Sequence, residues 1–209
     1  MLALAVGLGV LVVALPAGET NIIDEFWHQM MAEISAPWML SFAHFMDRIG
    51  GGWIAILVVP LLIIAVLLLM RRWRAAVYAA AAFAVSVGLT QLLKEIFARA
   101  RPEDMLVASD FGSFPSGHTS NAATIAVVLW LVFPRVWVAI LGVAWVVLMA
   151  LSRTVLAVHW LTDTMGGALV GASAALLVAG AIGQWASLGW SDPSAAPSRS
   201  NRVEDPPVS

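Results

Sequence analysis

The sequence predicts an all-α protein, a polytopic membrane helix bundle with about six transmembrane helices. Two observations carry that expectation. Of its 209 residues, 61% are hydrophobic and 11% charged, where a soluble domain has roughly 45–50% apolar and about 25% charged residues. Several stretches also approach the about 20 apolar residues that span a bilayer, and none has Asp, Glu, Lys or Arg in its interior. A formal net charge of −2 leaves no basic face, so nucleic acid is not an expected partner. The absence of cysteine excludes disulfides, thiolate metal sites and a cysteine nucleophile.

The expected spans cover residues 2–16, 53–70, 75–93, 116–134, 136–152 and 164–183. The first is short enough to compete with a signal peptide. No Lys or Arg precedes it, and Ala14-Leu15-Pro16-Ala17 is a poor cleavage site, so a retained helix is the preferred reading. Between the first two spans, Phe26, Trp27, Met30, Met31 and Ile34 recur at helical spacing among Asp24, Glu25 and Glu33. That pattern predicts a short amphipathic helix, either at the interface with Trp27 and Trp38 at headgroup depth or packed as an ordinary loop helix. Gly166, Gly167, Gly171, Ala172 and Ser173 in the last span permit a close helix contact, within one bundle or between two copies. The oligomeric state is not legible.

Six spans place both termini on one side. Arg71, Arg72, Arg74, Arg135, Arg199 and Arg202 share that side, and cytoplasmic loops collect Lys and Arg. The termini are therefore expected in the cytoplasm. Residues 1–184 read as one transmembrane domain. Residues 185–209, with Pro193, Pro197, Pro206 and Pro207 among Ser, Ala and charges, read as a disordered cytoplasmic tail.

Parity brings three polar clusters to the opposite, extracytoplasmic boundary, where ionisable side chains tend to mark function. Lys94 and Arg101 are seven residues apart and share a face if the helix runs that far, although Pro102 disfavours helix at Arg101. Arg99 points elsewhere in this reading, toward lipid headgroups or a second phosphate. Pro115-Ser116-Gly117-His118 suits a helix start, whose unpaired N–H groups attract an anion. His159 and Asp163, four apart, can hydrogen-bond on one helix face. A carboxylate on one ring nitrogen leaves the other as nucleophile, base or ligand. Arg153 can clamp a phosphate with its guanidinium fork. A divalent metal fits this set poorly, because Lys94, Arg101 and Arg153 would repel the cation, whereas cations around two histidines suit a phosphate.

Lys94-x6-Arg101-Pro102, Pro115-Ser116-Gly117-His118 and Ser152-Arg153-x5-His159-x3-Asp163 together resemble the tripartite signature of the type-2 phosphatidic acid phosphatase (PAP2) family of membrane lipid phosphatases. The resemblance covers about residues 40–184 and is closest to the small bacterial members. It implies a two-step hydrolysis with no metal and no cofactor. His159 would attack phosphorus and form a phosphohistidine, Asp163 would orient it, and His118 would protonate the leaving oxygen and then activate water. Lys94, Arg101, Arg153, Ser116 and the N–H of Gly117 would hold the phosphate oxygens. The implied substrate is a lipid phosphate at the bilayer surface, with undecaprenyl diphosphate preferred. The alternatives are phosphatidic acid or phosphatidylglycerol phosphate, and a phosphotransferase using the same site. The two histidines need opposite protonation states, which predicts a bell-shaped pH profile.

Overall fold

The computed structural model describes residues 1–14, 21–50, 54–109, 111–186 and 188. The expected tail is corrected at its start, where Ala186 and Leu188 are buried in the core and Trp185 packs on Trp73. The rest of it, with Arg199 and Arg202, lies outside the described residues, as do residues 15, 16 and 53 at the ends of the first two expected spans. Among the described residues the chain forms eight α-helices and one π-helical turn. They are α1 (Leu2–Val13), α2 (Ile22–Ile34), α3 (Pro37–Gly50), the π turn (Ile54–Val58), α4 (Val59–Leu69), α5 (Trp73–Phe97), α6 (Gly117–Val132), α7 (Val136–Val155) and α8 (Leu161–Ile182).

Each of the six expected stretches carries a helix. By length and composition α5, α7 and α8 are long and apolar enough to cross a membrane, and α3 with the Ile54–Leu69 segment makes a fourth, bent candidate. At 1.5 Å per residue, the 16 residues of α6 reach about 24 Å, short of the about 30 Å hydrocarbon core. The helix is short because its first turn opens inside the cavity described below. In the second expected span the π turn gives way to α4 at Pro60, which has no N–H to donate to the helical ladder.

The core is built from small side chains. Tyr78, Ala79 and Ala82 of α5 pack with Val128 of α6 and Ala175 of α8, and the Tyr78 hydroxyl donates to the Ala175 carbonyl at 3.1 Å. Gly167 and Gly171 settle where the small face of α8 goes. A Cβ on Gly167 would collide with the Ser116 carbonyl, and one on Gly171 with the Ser120 carbonyl, so the close contact lies inside the bundle, between α8 and α6. Outward-facing Leu61, Leu69, Ile140, Leu141, Val143 and Leu177 are exposed, an apolar belt suited to lipid. At the end away from the polar clusters, Arg72 Nη1 donates to the Val132 carbonyl at 3.0 Å, which ties the start of α5 to the end of α6.

The amphipathic helix expected in the 20–50 segment is α2, but it does not lie free. Met31 is buried against Val155, Leu156 and Val158, and Trp27 and Met30 pack on the same cluster. Asn21 caps the helix by accepting from the Asp24 N–H at 2.9 Å. The sequence reading did not separate α3, which follows after a break at residues 35 and 36 and packs against α7. In α1, Ala5 and Val12 pack with Leu93, Phe97, Phe114 and Val170. Gly9 sits where a Cβ would strike the Phe97 ring.

Candidate active site

The antiparallel run from α5 to α8 brings the end of α5, the start of α6, the end of α7 and the start of α8 to one end of the bundle. A cavity of about 380 Å³ opens there, with Lys94, His118, His159, Gly117 and Asp47 on its wall. The three polar clusters therefore meet, Lys94 from the first, His118 from the second and His159 from the third.

The α5 helix does not run on to Arg101. It stops at Phe97, with Ala98 left-handed at φ 43°, a conformation that costs an L-residue roughly 1–2 kcal/mol. Lys94 and Arg101 nevertheless converge, on the backbone carbonyl of Gly112. Lys94 Nζ donates to the Gly112 carbonyl at 2.8 Å, and Arg101 Nη2 donates to the same oxygen at 2.9 Å. Arg101 Nη1 donates to the Val158 carbonyl at 2.5 Å and lies 3.2 Å from His159 Nε2.

That last contact fixes the imidazole. A guanidinium can only donate, so Nε2 carries the lone pair and the ring proton sits on Nδ1. Nδ1 in turn stands 3.5 Å from Asp163 Oδ2, at the edge of hydrogen-bond reach. His159 is buried in the turn between α7 and α8, and that burial, opposed by the Asp163 carboxylate and aided by Arg101 and Lys94, pushes its pKa down to about 4. The low pKa leaves the ring neutral at pH 7, with the Nε2 lone pair turned to Arg101; a neutral ring is the state a nucleophile needs.

Asp163 is fully buried and saturated with donors. Oδ2 accepts from the Trp160 N–H at 2.8 Å, closing the first turn of α8, and also from the Ser113 hydroxyl. Oδ1 accepts from Arg99 Nη1 at 2.5 Å. The expectation for Arg99 is thereby corrected. It does not reach lipid headgroups or a second phosphate; it is buried, 2.7 Å from Asp24 and 2.5 Å from Asp163. The reason is the left-handed turn at Ala98, which aims the next residue at α8.

The second histidine has a different setting. His118 Nε2 lies 3.4 Å from Asp47 Oδ1, on α3, and the same oxygen accepts from Arg153 Nη1 at 2.6 Å. The His118 and Asp47 side chains are 24% and 32% exposed, against 3% and 0% for His159 and Asp163. Arg153 is almost wholly buried, and its Nη2 has no hydrogen-bond partner among the described residues. A buried guanidinium donor left over on the carboxylate that it shares with His118 suits an anion.

Gly117 borders the cavity, where an added Cβ would meet only Thr90 Cγ2 at 3.8 Å. Ser116 is fully buried behind it. Its N–H goes to the Asp163 carbonyl at 2.9 Å, and its hydroxyl accepts from Thr119 at 3.2 Å. The sequence reading missed Asp24, Asp47, Ser113 and Thr162 as neighbours of the site. The available signal was an acid among apolar helix positions, Asp24 after Ile22-Ile23 and Asp47 after Phe45-Met46.

Comparison with known proteins agrees with this geometry. The family model of the PAP2 superfamily matches residues 75–186. The decaprenylphosphoryl-5-phosphoribose phosphatase of Mycobacterium tuberculosis is 31% identical over 168 residues, which is 78% of this chain and 90% of that one. The undecaprenyl-diphosphatase of Sulfolobus acidocaldarius is 30% identical over 135 residues, 61% of this chain and 63% of that one. The crystal structure of a transmembrane PAP2-type phosphatidylglycerolphosphate phosphatase from Bacillus subtilis superposes with a TM-score of 0.74 at 26% identity, covering 88% of this chain and 96% of that one.

Proposed function

The chain belongs to the PAP2 superfamily and is a membrane lipid phosphatase, and we propose that it takes the terminal phosphate of undecaprenyl diphosphate through a phosphohistidine on His159. The observation that carries the mechanism is the buried imidazole of His159, with Arg101 3.2 Å from Nε2, Asp163 3.5 Å from Nδ1 and Lys94 and Gly117 on the same cavity wall.

In the first step Nε2 attacks the terminal phosphorus, an N–P bond forms and the bond from phosphorus to the leaving oxygen breaks. The ring becomes cationic and Asp163 stabilises it by accepting from Nδ1. His118 hands its proton to the leaving oxygen. In the second step His118, now neutral, takes a proton from water as that water attacks phosphorus. The N–P bond breaks, inorganic phosphate departs and His159 returns to its neutral form. Lys94, Arg101, Arg153 and the Gly117 N–H hold the non-bridging oxygens, whose charge grows in the transition state. On binding, phosphate draws Arg101 off Nε2 and frees the lone pair. Ser116 supports the cradle from behind.

The substrate preference rests on likeness and chemistry. Two of the relatives above are named for polyprenyl-linked substrates. Phosphatidylglycerol phosphate is the second reading, favoured by the solved structure. The basic ends of α5 and α7 at the far boundary favour an extracytoplasmic site and cytoplasmic termini. Residues 1–188 form the catalytic domain in this reading, since Ala186 and Leu188 are buried in its core, and only the residues after them are a dispensable tail.

Purified protein in detergent with EDTA is expected to release phosphate fastest from undecaprenyl diphosphate, ahead of phosphatidylglycerol phosphate and phosphatidic acid. His159→Ala is expected to lower that rate roughly ten-thousandfold. A faster rate on phosphatidylglycerol phosphate would overturn the substrate, and equal rates for variant and wild type would overturn the mechanism. Phosphate appearing on an added lipid alcohol in place of water would make the protein a transferase.

A further inference from the structure

The site rests on a residue that belongs to none of the three motifs. Asp24, on α2, is wholly buried and 139 positions before Asp163 in the chain. Its Oδ2 accepts from Arg99 Nη2 at 2.7 Å, and Arg99 Nη1 donates to Asp163 Oδ1 at 2.5 Å. Asp24 also accepts from the Thr162 N–H at 2.9 Å and the Thr162 hydroxyl at 2.6 Å, both in the first turn of α8. Asn21 Nδ2 donates to Asp24 Oδ2 at 2.5 Å. The Arg99 guanidinium lies over the Trp160 ring, 5.6 Å from its centroid. A chain of carboxylate, guanidinium, carboxylate and imidazole thus runs from α2 to the nucleophile.

We propose that Asp24 is a positioning residue that offsets the charge of Arg99, so that the buried set facing His159 stays net negative; this rests on the phosphohistidine reading above. The charge count gives the reason. Arg99 bonded to Asp163 alone would make a neutral pair, leaving little net negative charge to stabilise the cationic ring that forms on attack. Asp24 supplies the missing charge, so the buried set of Asp24, Arg99 and Asp163 carries a net −1. Its bonds to Thr162 also fix the first turn of α8, from which Asp163 projects. Buried carboxylates behind a catalytic group act in this way by holding its partner's orientation and charge.

Asp24→Asn keeps the shape and loses the charge. Per folded protein, its kcat is expected to fall about 10- to 100-fold, the scale of a buried charge-assisted bond, with KM for the lipid moved less than about threefold. Asp24→Asn/Arg99→Gln removes both outer charges and returns the set to −1, so its kcat is expected to recover to within about threefold of wild type. If Asp24→Asn does not fold, the double variant decides alone, its kcat read per folded protein, with Asp163 still held by the Ser113 hydroxyl and the Trp160 N–H. A wild-type kcat in Asp24→Asn, or a double variant still down by tenfold or more, would overturn the proposal while leaving an enzyme that needs His159. Loss of the His159 requirement itself would overturn the phosphatase mechanism and this proposal together.

Discussion

The two histidines of the site are kept in opposite ways. His159 sits in a buried turn that opens only on the cavity, its partner Asp163 bonded to Ser113, Trp160 and Arg99, with Asp24 one layer further out. His118 opens α6 at the cavity wall, and its partner Asp47 is a third exposed and shared with Arg153. Burial holds the first ring neutral and fixes its direction. The second ring faces water and an anionic partner, the setting in which a histidine exchanges protons. In the proposed mechanism one half of the site serves aim and the other proton traffic.

The largest effect that would sharpen this contrast comes from the open half. His118→Ala is expected to slow hydrolysis of a phosphate monoester by about 100- to 10,000-fold, because an alkoxide leaving group needs a proton. A diphosphate leaves as a phosphate, a far weaker base, and its loss is expected to be smaller. Equal losses on phosphatidic acid and undecaprenyl diphosphate, measured as kcat/KM, would break the assignment of His118 as the acid. Asp47→Asn is expected to cost about tenfold, with part of the loss in KM, since Arg153 loses its anchor at the same time. A loss confined to kcat would show that Asp47 serves only the histidine.

The smallest effect is the one pH should reveal. The pKa of His159 is lowered from the ordinary 6.5 to about 4, with burial as the main cause. The neutral, nucleophilic form therefore persists through mild acid, and kcat/KM should fall on that ground only as pH approaches 4. The same shift bears on stability. The unfolded chain takes up a proton at His159 below about 6.5 while the folded chain resists it. Stability is then whole above 6.5 and declines from there toward 4. The unfolding midpoint in detergent should be lower at pH 5 than at pH 7, and the gap should narrow in His159→Gln. An unchanged gap would assign the pH dependence to other groups.

The catalytic half of this plan was readable from the chain because it depends on local spacing and on parity. His159 and Asp163 lie four apart, and an even number of crossings returns each cluster to one boundary. The support was not readable. Arg99 was expected to point outward because α5 was expected to continue, and nothing local announces that Ala98 turns left-handed. Asp24 and Asp47 reach across 75 to 138 residues, through contacts with Thr162, Arg99 and Arg153 that only the packing of α2 and α3 creates. The glycines of α8 were legible as a contact face, but their partner was not, because a small-residue stripe does not say which helix fills it.

The central claim is that phosphate passes through His159. The direct test is to mix the His118→Ala variant with undecaprenyl diphosphate labelled in its terminal phosphate, quench in alkali and map the label by mass spectrometry. With the water step slowed, label should accumulate on the peptide bearing His159 and disappear under acid, as an N–P bond does. Label on His118 in the wild-type protein, or none on any histidine while phosphate is still released, would contradict the account.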